Sequence, residues 1–574
     1  MKNTMIKLLS VLLLVTLLAG GSILSAHAAE AFTVDGSVIF EKDGLKVTTA
    51  GLDKDPSSGD DDSIIWVDIE NKGEKDTWLG IEDGTVNGFL TSVWLASYRQ
   101  EDGGWYSANY DFRLNIPAGS TGSYALAYAV QTVPGLDMKK LCDMEFCFTL
   151  AKDEFALADY RSEPVAITTG EAAQTLDLDT LGTVVLDDDK VKLVIGEQDY
   201  DDWFGPYINV YAENKTDHYV GISGNSAELD GTKCENLLGG MAMVPGKRIA
   251  SSFMFEDLDS GMKSFEKLTL RLSRYESEDP YKMNEAESVP LDPVSVTFHP
   301  QPWGEYENGG LSMEIQPKYN ELVTVETPAE SERGMLFSVY ENASREAENY
   351  DGAGWLFGIG TVSAERLHEM LCQDMSGAQV FAKDGEGRYY MYYHPTDVRY
   401  ARATVEEMKR DQAQWRALTE WAAGMPDRIA KLNGLEPVSY GNSEVDIYLA
   451  RAAWMDGEKH TLSTTEFGPV DIKDVDGTLY AEKLMQCWYE MLPDTEAPDG
   501  QYVVLGFPEM EETRVDFFFA PGNFVRVVNG EREMLYQACA AEGETDVTNT
   551  MQRWYYAAAE KAGLKPVDAA AANG

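Results

Sequence analysis

The chain has 574 residues, of which 44% are hydrophobic and 25% are charged, and its formal net charge is −50. A polyanion is repelled by phosphate backbones and anionic lipid headgroups, so nucleic acid and bare membrane are excluded as expected partners. The aromatic content of 11% supplies apolar surface for several packed cores, so the acidity does not predict disorder. We expect a folded protein whose acidity serves solubility, with cation binding as the alternative.

The first 28 residues predict a secretory signal peptide. Lys2 and Lys7 precede an apolar run at 8–18, and Ala26-His27-Ala28 fits the small-x-small pattern of a signal-peptidase site. The apolar run is about half of the roughly 20 residues that a membrane-spanning helix needs. We therefore expect an extracytoplasmic protein, secreted or associated with the cell envelope, without membrane insertion.

Cysteine usage does not indicate a disulfide-stapled scaffold, because 6 cysteines in 574 residues are too few. Cys142 and Cys147 are near in sequence, but an odd separation along a strand places them on opposite faces. This argues against a local bridge. We expect most of the cysteines to be small buried apolar residues.

A sequence repeat organises the first half of the chain. The segment 65–72, IWVDIENK, returns at 208–215 as INVYAENK, and in both copies alternate residues are apolar. This pattern predicts a strand that ends at an Asn-Lys turn. Asn87-Gly88 aligns with Asp230-Gly231, and both are hairpin-turn dipeptides. We therefore predict duplicated β-sandwich domains at residues 32–170 and 181–299.

Short strands separated by turn signals favour a two-sheet sandwich for each repeat. The shared strand ending in Glu-Asn-Lys, the polar loop before it and a late Pro-Gly hairpin resemble the immunoglobulin-like domains of uncharacterised secreted bacterial proteins. The resemblance covers about residues 32–299. It implies tandem immunoglobulin-like β-sandwiches and brings no catalytic residue with it.

Beyond a Pro- and Gly-rich joint at 299–304, strands alternate with helices. Thr404 and Glu407 form a capping box at the start of a long helix. Its buried stripe is predicted to contain four residues: Met408, Trp415, Leu418 and Ala422. The fold class is therefore multidomain, with two all-β immunoglobulin-like sandwiches followed by an α+β region. That region is predicted at 303–436 and 440–566, as two domains or as two halves of one domain.

Two short motifs resemble catalytic signatures. The segment 474–479, DVDGTL, is similar to the first motif of haloacid-dehalogenase-type phosphatases, in which the first aspartate attacks phosphorus. The strand before it alternates as an exposed strand does, which favours a simple turn. His368 and Cys372 lie four apart on a predicted helix in a sequence close to the zinc-hydrolase pattern H-E-x-x-H, but further ligands are not identifiable. An amphipathic helix is the simpler interpretation.

The aromatic stretch 389–399 supplies the main candidate site. Tyr390 and Tyr392, with His394 and Arg399 beyond them, are candidates for binding a carbohydrate or an anion, because aromatic faces and charged hydrogen-bonding groups suit such ligands. Alternating tyrosines on a half-buried strand are also typical of packing. His394, Asp397 and Arg399 are the candidate catalytic residues.

Acidic loops at equivalent places in the repeats suggest calcium as a structural ion, since calcium takes six to eight oxygen ligands. The candidate ligands are five aspartates: Asp60, Asp61, Asp62, Asp201 and Asp202. A solvated acidic loop is the alternative. No other cofactor is expected.

We therefore predict an exported, non-catalytic protein whose sandwiches present a C-terminal recognition domain to an unknown extracellular ligand, carbohydrate or protein. The alternative is an exported hydrolase whose active site lies in the C-terminal α+β region. Convergence of His394, Asp397 and Arg399 in a concave pocket would favour the alternative.

Overall fold

The computed structural model divides into two compact units, Met1–Pro300 and Gln301–Gly574. Strands make up 46% and helices 19%, so the protein is mostly β, with several sheets. No helix in the described part of the chain is long and apolar enough to cross a membrane. The structure describes residues 31–56, 63–101, 104–108, 113–202, 204–256, 258, 261–328, 334–347, 352–373, 375–438, 440, 443–455, 458–464, 468–493, 495–510, 512–519, 523–540 and 547–564. The predicted signal peptide lies outside these residues.

The first part of the first unit is built from strands that form two facing sheets. The strands are β1 (Ala31–Thr33), β2 (Asp35–Lys42), β3 (Leu45–Lys54), β4 (Ser63–Asn71), β5 (Thr77–Val86), β6 (Phe89–Leu90), β7 (Val93–Glu101), β8 (Gly104–Ala108), β9 (Arg113–Ile116), β10 (Thr121–Tyr128), β11 (Asp143–Ala151), β12 (Tyr160–Arg161) and β13 (Val165–Thr168). One sheet has the order β2-β3-β4-β10-β7-β8, and the other contains β1-β13-β11-β5-β6. Ile65, Val67 and Ile69 of β4 are fully buried in the core between them.

The second part of the first unit has the same kind of core between two sheets. Its strands are β14 (Thr183–Asp187), β15 (Val191–Asp201), β16 (Gly205–Asn214), β17 (Tyr219–Leu229), β18 (Thr232–Cys234), β19 (Leu237–Leu238), β20 (Gly240–Met243), β21 (Arg248–Phe255), β22 (Lys267–Ser277), β23 (Val289–Pro290) and β24 (Val294–Thr297). Short 3-10 helices occupy Leu178–Leu181 and Pro280–Glu285. Ile208, Val210 and Ala212 of β16 are buried against the sheet β18-β17-β22-β23.

The two parts share one continuous sheet, in the order β1-β13-β11-β5-β6-β21-β16-β15-β14. The junction is a short parallel pairing of β6 with β21, at Phe89 and Arg248. Val194 and Tyr211 of the second part contribute to the core of the first. The shared sheet and shared core make the first unit one packed body.

The repeated Asn-Lys turns have the same internal hydrogen bonds. Asn71 is buried, donates through Nδ2 to the carbonyl oxygens of Lys75 and Ile116, and accepts from the Gly73 amide through Oδ1. Asn214 is equally buried and donates through Nδ2 to the carbonyl oxygens of His218 and Val244. A buried amide that satisfies turn carbonyls explains why asparagine occupies both positions.

The second unit contains strands and helices in alternation. Its strands are β25 (Gly304–Asn308), β26 (Leu311–Ile315), β27 (Val323–Glu326), β28 (Met335–Glu341), β29 (Trp355–Val362), β30 (Ala378–Lys383), β31 (Tyr389–Tyr393), β32 (Glu436–Pro437), β33 (Thr461–Thr464), β34 (Val470–Asp471), β35 (Cys487–Met491), β36 (Tyr502–Gly506), β37 (Thr513–Phe518), β38 (Phe524–Asn529) and β39 (Arg532–Ala540). Its helices are α1 (Pro317–Asn320), α2 (Asn342–Ala347), α3 (Ala364–Leu371), α4 (Val405–Ala423), α5 (Met425–Asn433), α6 (Glu444–Trp454), α7 (Thr478–Met485) and α8 (Val547–Lys561).

Two sheets of the second unit enclose a layer of helices. The sheet β27-β28-β29-β31-β30-β32 has α4 and α5 on one face, where Leu418 and Trp421 are buried. Its other face shares a core with α3, α6, α7, α8 and the sheet β34-β33-β36-β37-β38-β39-β35. Side chains from both predicted parts of the α+β region, such as Met391 and Leu505, therefore meet in one core.

Helix α4 begins with the predicted capping box, in which Thr404 and Glu407 exchange side-chain and backbone hydrogen bonds. The predicted buried stripe is wrong at Met408, which is exposed, and it omits Trp421, which is buried. The reason is that only the last turns of α4 pack on the sheet. There Trp421 lies edge-on to Phe357, with ring centroids 5.8 Å apart.

All six cysteines lie in the described part of the chain, and no disulfide bond joins any two of them. Five are buried, as expected, and Cys539 is exposed. Burial raises the pKa of the Cys147 thiol to about 12. Such a thiol stays protonated near neutral pH and packs as a small apolar group.

Candidate functional site

The predicted aromatic site lies on β31, a central strand whose sheet is covered on both faces. Tyr390 and Tyr392 are only 3% and 6% exposed and pack into the core beneath α4. The Tyr392 hydroxyl donates to the Ala422 carbonyl oxygen at 3.0 Å, and its ring stacks on Phe357. Tyr389 points into the opposite core. The burial of these rings favours the packing interpretation over a carbohydrate-stacking platform.

The three candidate catalytic residues follow this strand. Arg399 Nε lies 2.8 Å from Asp397 Oδ1, and Asp397 is 63% exposed. His394 is exposed, with its ring tilted against Tyr392 and its Nδ1 3.2 Å from the Pro395 carbonyl oxygen. The structure thus brings Asp397 and Arg399 together, while the described contacts of His394 are with Tyr392 and Pro395.

The two motifs that resemble catalytic signatures both contact Trp454 of α6. The His368 ring is parallel to the Trp454 indole, with centroids 3.8 Å apart, and the indole nitrogen donates to Thr478 Oγ1 at 2.9 Å. Burial lowers the pKa of His368 and raises the pKa of the Cys372 thiol to about 11. The chain at 474–477 is a turn that leads into α7, as the simpler interpretation of that motif predicted.

The predicted calcium ligands fall in two places. Asp60, Asp61 and Asp62 lie outside the described residues. Asp201 and Asp202 lie where β15 turns into β16, and Asp201 Oδ1 accepts from the Phe204 amide at 3.0 Å. Within the described residues, no group of three or more ligand-type side chains is placed to hold a metal ion.

An open cleft of about 460 Å³ lies in the first unit, beside the turn that carries Asp201. Its floor is the outward face of β16 and β21, where Tyr207 pairs with Met254, Asn209 with Ser252, and Tyr211 with Ala250. The turn residues Asp201 and Phe204 form one wall. The segment after β10 forms the other, with Gln131 and Thr132. Residues of both repeats therefore line the cleft.

The polar groups of the cleft are mostly uncharged. The Ser252 hydroxyl and the Asn209 amide lie on the floor beside Tyr207. Asn209 Nδ2 donates to the Glu197 carbonyl oxygen at 3.3 Å, which orients the amide. Gln131 Oε1 is buried without a hydrogen-bond partner among the described residues. A buried acceptor of this kind is satisfied by a donor from water or from a ligand.

A partly buried ionic cluster joins the two repeats. Glu82 and Asp83 of the first repeat accept hydrogen bonds from the hydroxyls of Tyr281 and Tyr219 of the second. Arg161 pairs with Asp83, and its Nε lies 3.5 Å from Glu82 Oε2. Burial raises the pKa of Glu82, while Tyr281 and Arg161 oppose that rise. The cluster therefore joins the repeats through hydrogen-bonded charges rather than through apolar packing alone.

Sequence reasoning missed the cleft because Tyr207, Asn209 and Tyr211 occupy the outward positions of a strand. Their counterparts in β4 include Trp66 and the exposed Asp68, so an outward position by itself does not indicate a site. Two tyrosines on one outward face were the available signal.

Among known proteins, only solved structures show a similarity to this chain. No family model matches the sequence, and no curated protein matches it. The YadV chaperone covers 41% of this chain and 92% of its own at 10% identity, with a TM-score of 0.14. The E. coli chaperone DraB covers 46% and 99% at 9% identity, with a TM-score of 0.14. A Porphyromonas gingivalis protein of unknown function covers 44% and 100% at 12% identity, with a TM-score of 0.12. Similarities of this size carry no conclusion about what this chain does.

Proposed function

We propose that this chain is an exported, non-catalytic binding protein whose ligand occupies the cleft of the first unit. The cleft carries the proposal, because it combines aromatic rings with hydroxyl and amide groups in a volume of about 460 Å³. Small-molecule sites of proteins typically have volumes of about 300–1,000 Å³ and a few placed polar groups. The signal peptide predicted at residues 1–28 supports an extracytoplasmic location.

In this proposal the two repeats are immunoglobulin-like sandwiches that form a rigid frame for the cleft. The shared sheet and the ionic cluster around Glu82 support that role, because both hold the repeats in one arrangement. The α+β unit is the second recognition candidate. A depression of about 280 Å³ in that unit, smaller than the cleft, is lined by residues such as Phe507 and Arg514.

The alternative of an exported hydrolase lacks a supporting observation among the described residues. A nucleophile or general base needs a hydrogen-bonded partner that orients it. Asp397 contacts Arg399, whereas the described ring contacts of His394 are with Tyr392 and Pro395. No described contact therefore joins His394 to either of the other two candidate catalytic residues.

A thermal-shift experiment on the chain without residues 1–28 tests the proposal. The probes are neutral oligosaccharides, oligogalacturonate, hexalysine and hexaglutamate. A ligand at 100 times its Kd should raise the free energy of unfolding by about 2.7 kcal/mol. Ser252→Trp places an indole on the floor of the cleft and should abolish the shift. Ser123→Trp, at an exposed position of β10, is the matched control and should retain it.

Stabilisation that survives Ser252→Trp would place the ligand elsewhere and refute a binding function of the cleft. The same conclusion follows if no probe stabilises the wild-type chain. Turnover of a probe by the wild-type protein would refute the non-catalytic part of the proposal.

A further inference from the structure

We infer that the cleft binds a neutral oligosaccharide, an inference that rests on the proposed binding function and specifies its ligand class. The spacing of the floor residues, the exposed ring at the rim and the charge of the lining each favour this ligand class.

The floor of the cleft presents side chains at a regular spacing along β16. Tyr207, Asn209 and Tyr211 alternate along β16, and residues two apart on a strand are separated by about 6.8 Å. Each is paired across the ladder with a residue of β21. Tyr211 is only 5% exposed and packs in the core of the first repeat, so the accessible floor is formed mainly by Tyr207, Asn209 and Ser252. A chain of sugar rings presents the matching pattern, because each ring has an apolar C–H face and a hydroxyl edge. Aromatic rings provide flat apolar surface for such faces.

The rim adds an exposed aromatic ring. Phe204 lines the cleft and is 40% exposed, although a large apolar side chain gains stability from burial. Its backbone amide donates to Asp201 Oδ1, so the turn holds Phe204 at the rim. A sugar ring bound against Phe204 would cover this surface.

The charge of the lining selects against acidic ligands. Among the lining residues that the structure describes, Asp201 is acidic and none is basic. An acidic saccharide would therefore meet a carboxylate and the field of a chain with net charge −50. Asp201 already accepts the Phe204 amide at the margin, while the floor itself carries hydroxyl and amide groups. Sugar hydroxyls both donate and accept, and one of them would satisfy the buried Gln131 Oε1.

The experiment uses the chain without residues 1–28 on a microarray of neutral glycans, followed by isothermal titration calorimetry with the best oligosaccharide. Hexalysine and oligogalacturonate are titrated in parallel. We expect the neutral oligosaccharide to bind, and Phe204→Ala to weaken its Kd about two- to tenfold through loss of an aromatic contact. Phe155→Ala removes an 80% exposed phenylalanine outside the cleft and is the matched control, with an unchanged Kd.

Each other outcome overturns the inference. If hexalysine binds and Phe204→Ala weakens it while neutral glycans do not bind, the ligand is cationic and the proposed binding function stands. If oligogalacturonate alone binds and Phe204→Ala weakens that binding, the argument that the acidic lining excludes acidic saccharides is wrong. If a glycan binds equally well to wild type and Phe204→Ala, its site lies outside the cleft. If none of these probes binds, the saccharide inference and the proposed binding function both fail.

Discussion

The hydrogen bond between Tyr281 and Glu82 should contribute measurably to the stability of the first unit. Tyr281 belongs to the second repeat and is buried, and Glu82 belongs to the first and is mostly buried. Tyr281→Phe removes the hydroxyl and keeps the ring, so apolar packing is preserved. The neighbouring Arg161 Nε is 3.5 Å from the same carboxylate oxygen and replaces the lost donor only in part.

The expected loss follows from the charge and burial of the acceptor. A hydrogen bond to a charged group contributes about 1.5–3 kcal/mol to the free energy of unfolding. At about 2.1 cal/mol/K of unfolding entropy per residue, that loss corresponds to a Tm decrease of about 3–5 °C for the first unit. The pKa of Glu82, already raised by burial, should rise further, because Tyr281 is the strongest of the contacts that oppose the rise.

Differential scanning calorimetry of the chain without residues 1–28 measures the effect. Tyr124→Phe is the matched control, because Tyr124 is partly buried against the core of the first repeat and its hydroxyl has no described hydrogen bond. The control should change the free energy of unfolding by less than about 0.5 kcal/mol. Equal Tm values for Tyr281→Phe and Tyr124→Phe would refute the argument that buried charge joins the repeats.

Three further predictions concern single contacts. His218 Nε2 lies 3.0 Å from Glu276 Oε2. Burial lowers the pKa of His218, but Glu276 and Asp217 outweigh burial and raise this pKa above 6.5. The stability that protonated His218 contributes should therefore be complete below pH 6.5 and be lost as pH rises through its folded-state pKa. Urea titrations of the wild type and of His218→Gln across that pH range check this. A difference in the free energy of unfolding that does not change with pH would contradict it. Thr404→Ala should lower the free energy of unfolding by about 0.5–2 kcal/mol in urea titrations, with Thr404→Ser nearly neutral. Asn214→Ala should cost about 1–3 kcal/mol by the same assay, because its amide satisfies buried turn carbonyls; a change below 0.5 kcal/mol would contradict that role.

The sequence by itself determined features that depend on neighbours a few residues away. Asn87 and Asp230 adopt positive φ in tight hairpin turns, as their Asn-Gly and Asp-Gly dipeptides predict. The capping box at Thr404 is present for the same reason, since its hydrogen bonds span three residues. The inward faces of β4 and β16 also follow from local periodicity.

Only the tertiary structure decided which outward faces are covered. Asp68 and Tyr211 occupy equivalent positions of the repeated strand, yet Asp68 is exposed and Tyr211 is buried against the first repeat. Met408 and Trp421 share one helix, but only the end that carries Trp421 meets the sheet. Tyr390 and Tyr392 are buried because α4, which is separate in sequence, covers that face.

The cleft also arises from tertiary contacts. Its lining joins segments 131–132, 201–211 and 250–254. The pairing of β16 with β21 brings the last two together, and the packing of the repeats against each other brings 131–132 beside them. Contacts between segments so distant in sequence leave no periodicity in the chain, so alternation reveals which side chains point outward and not what they meet there.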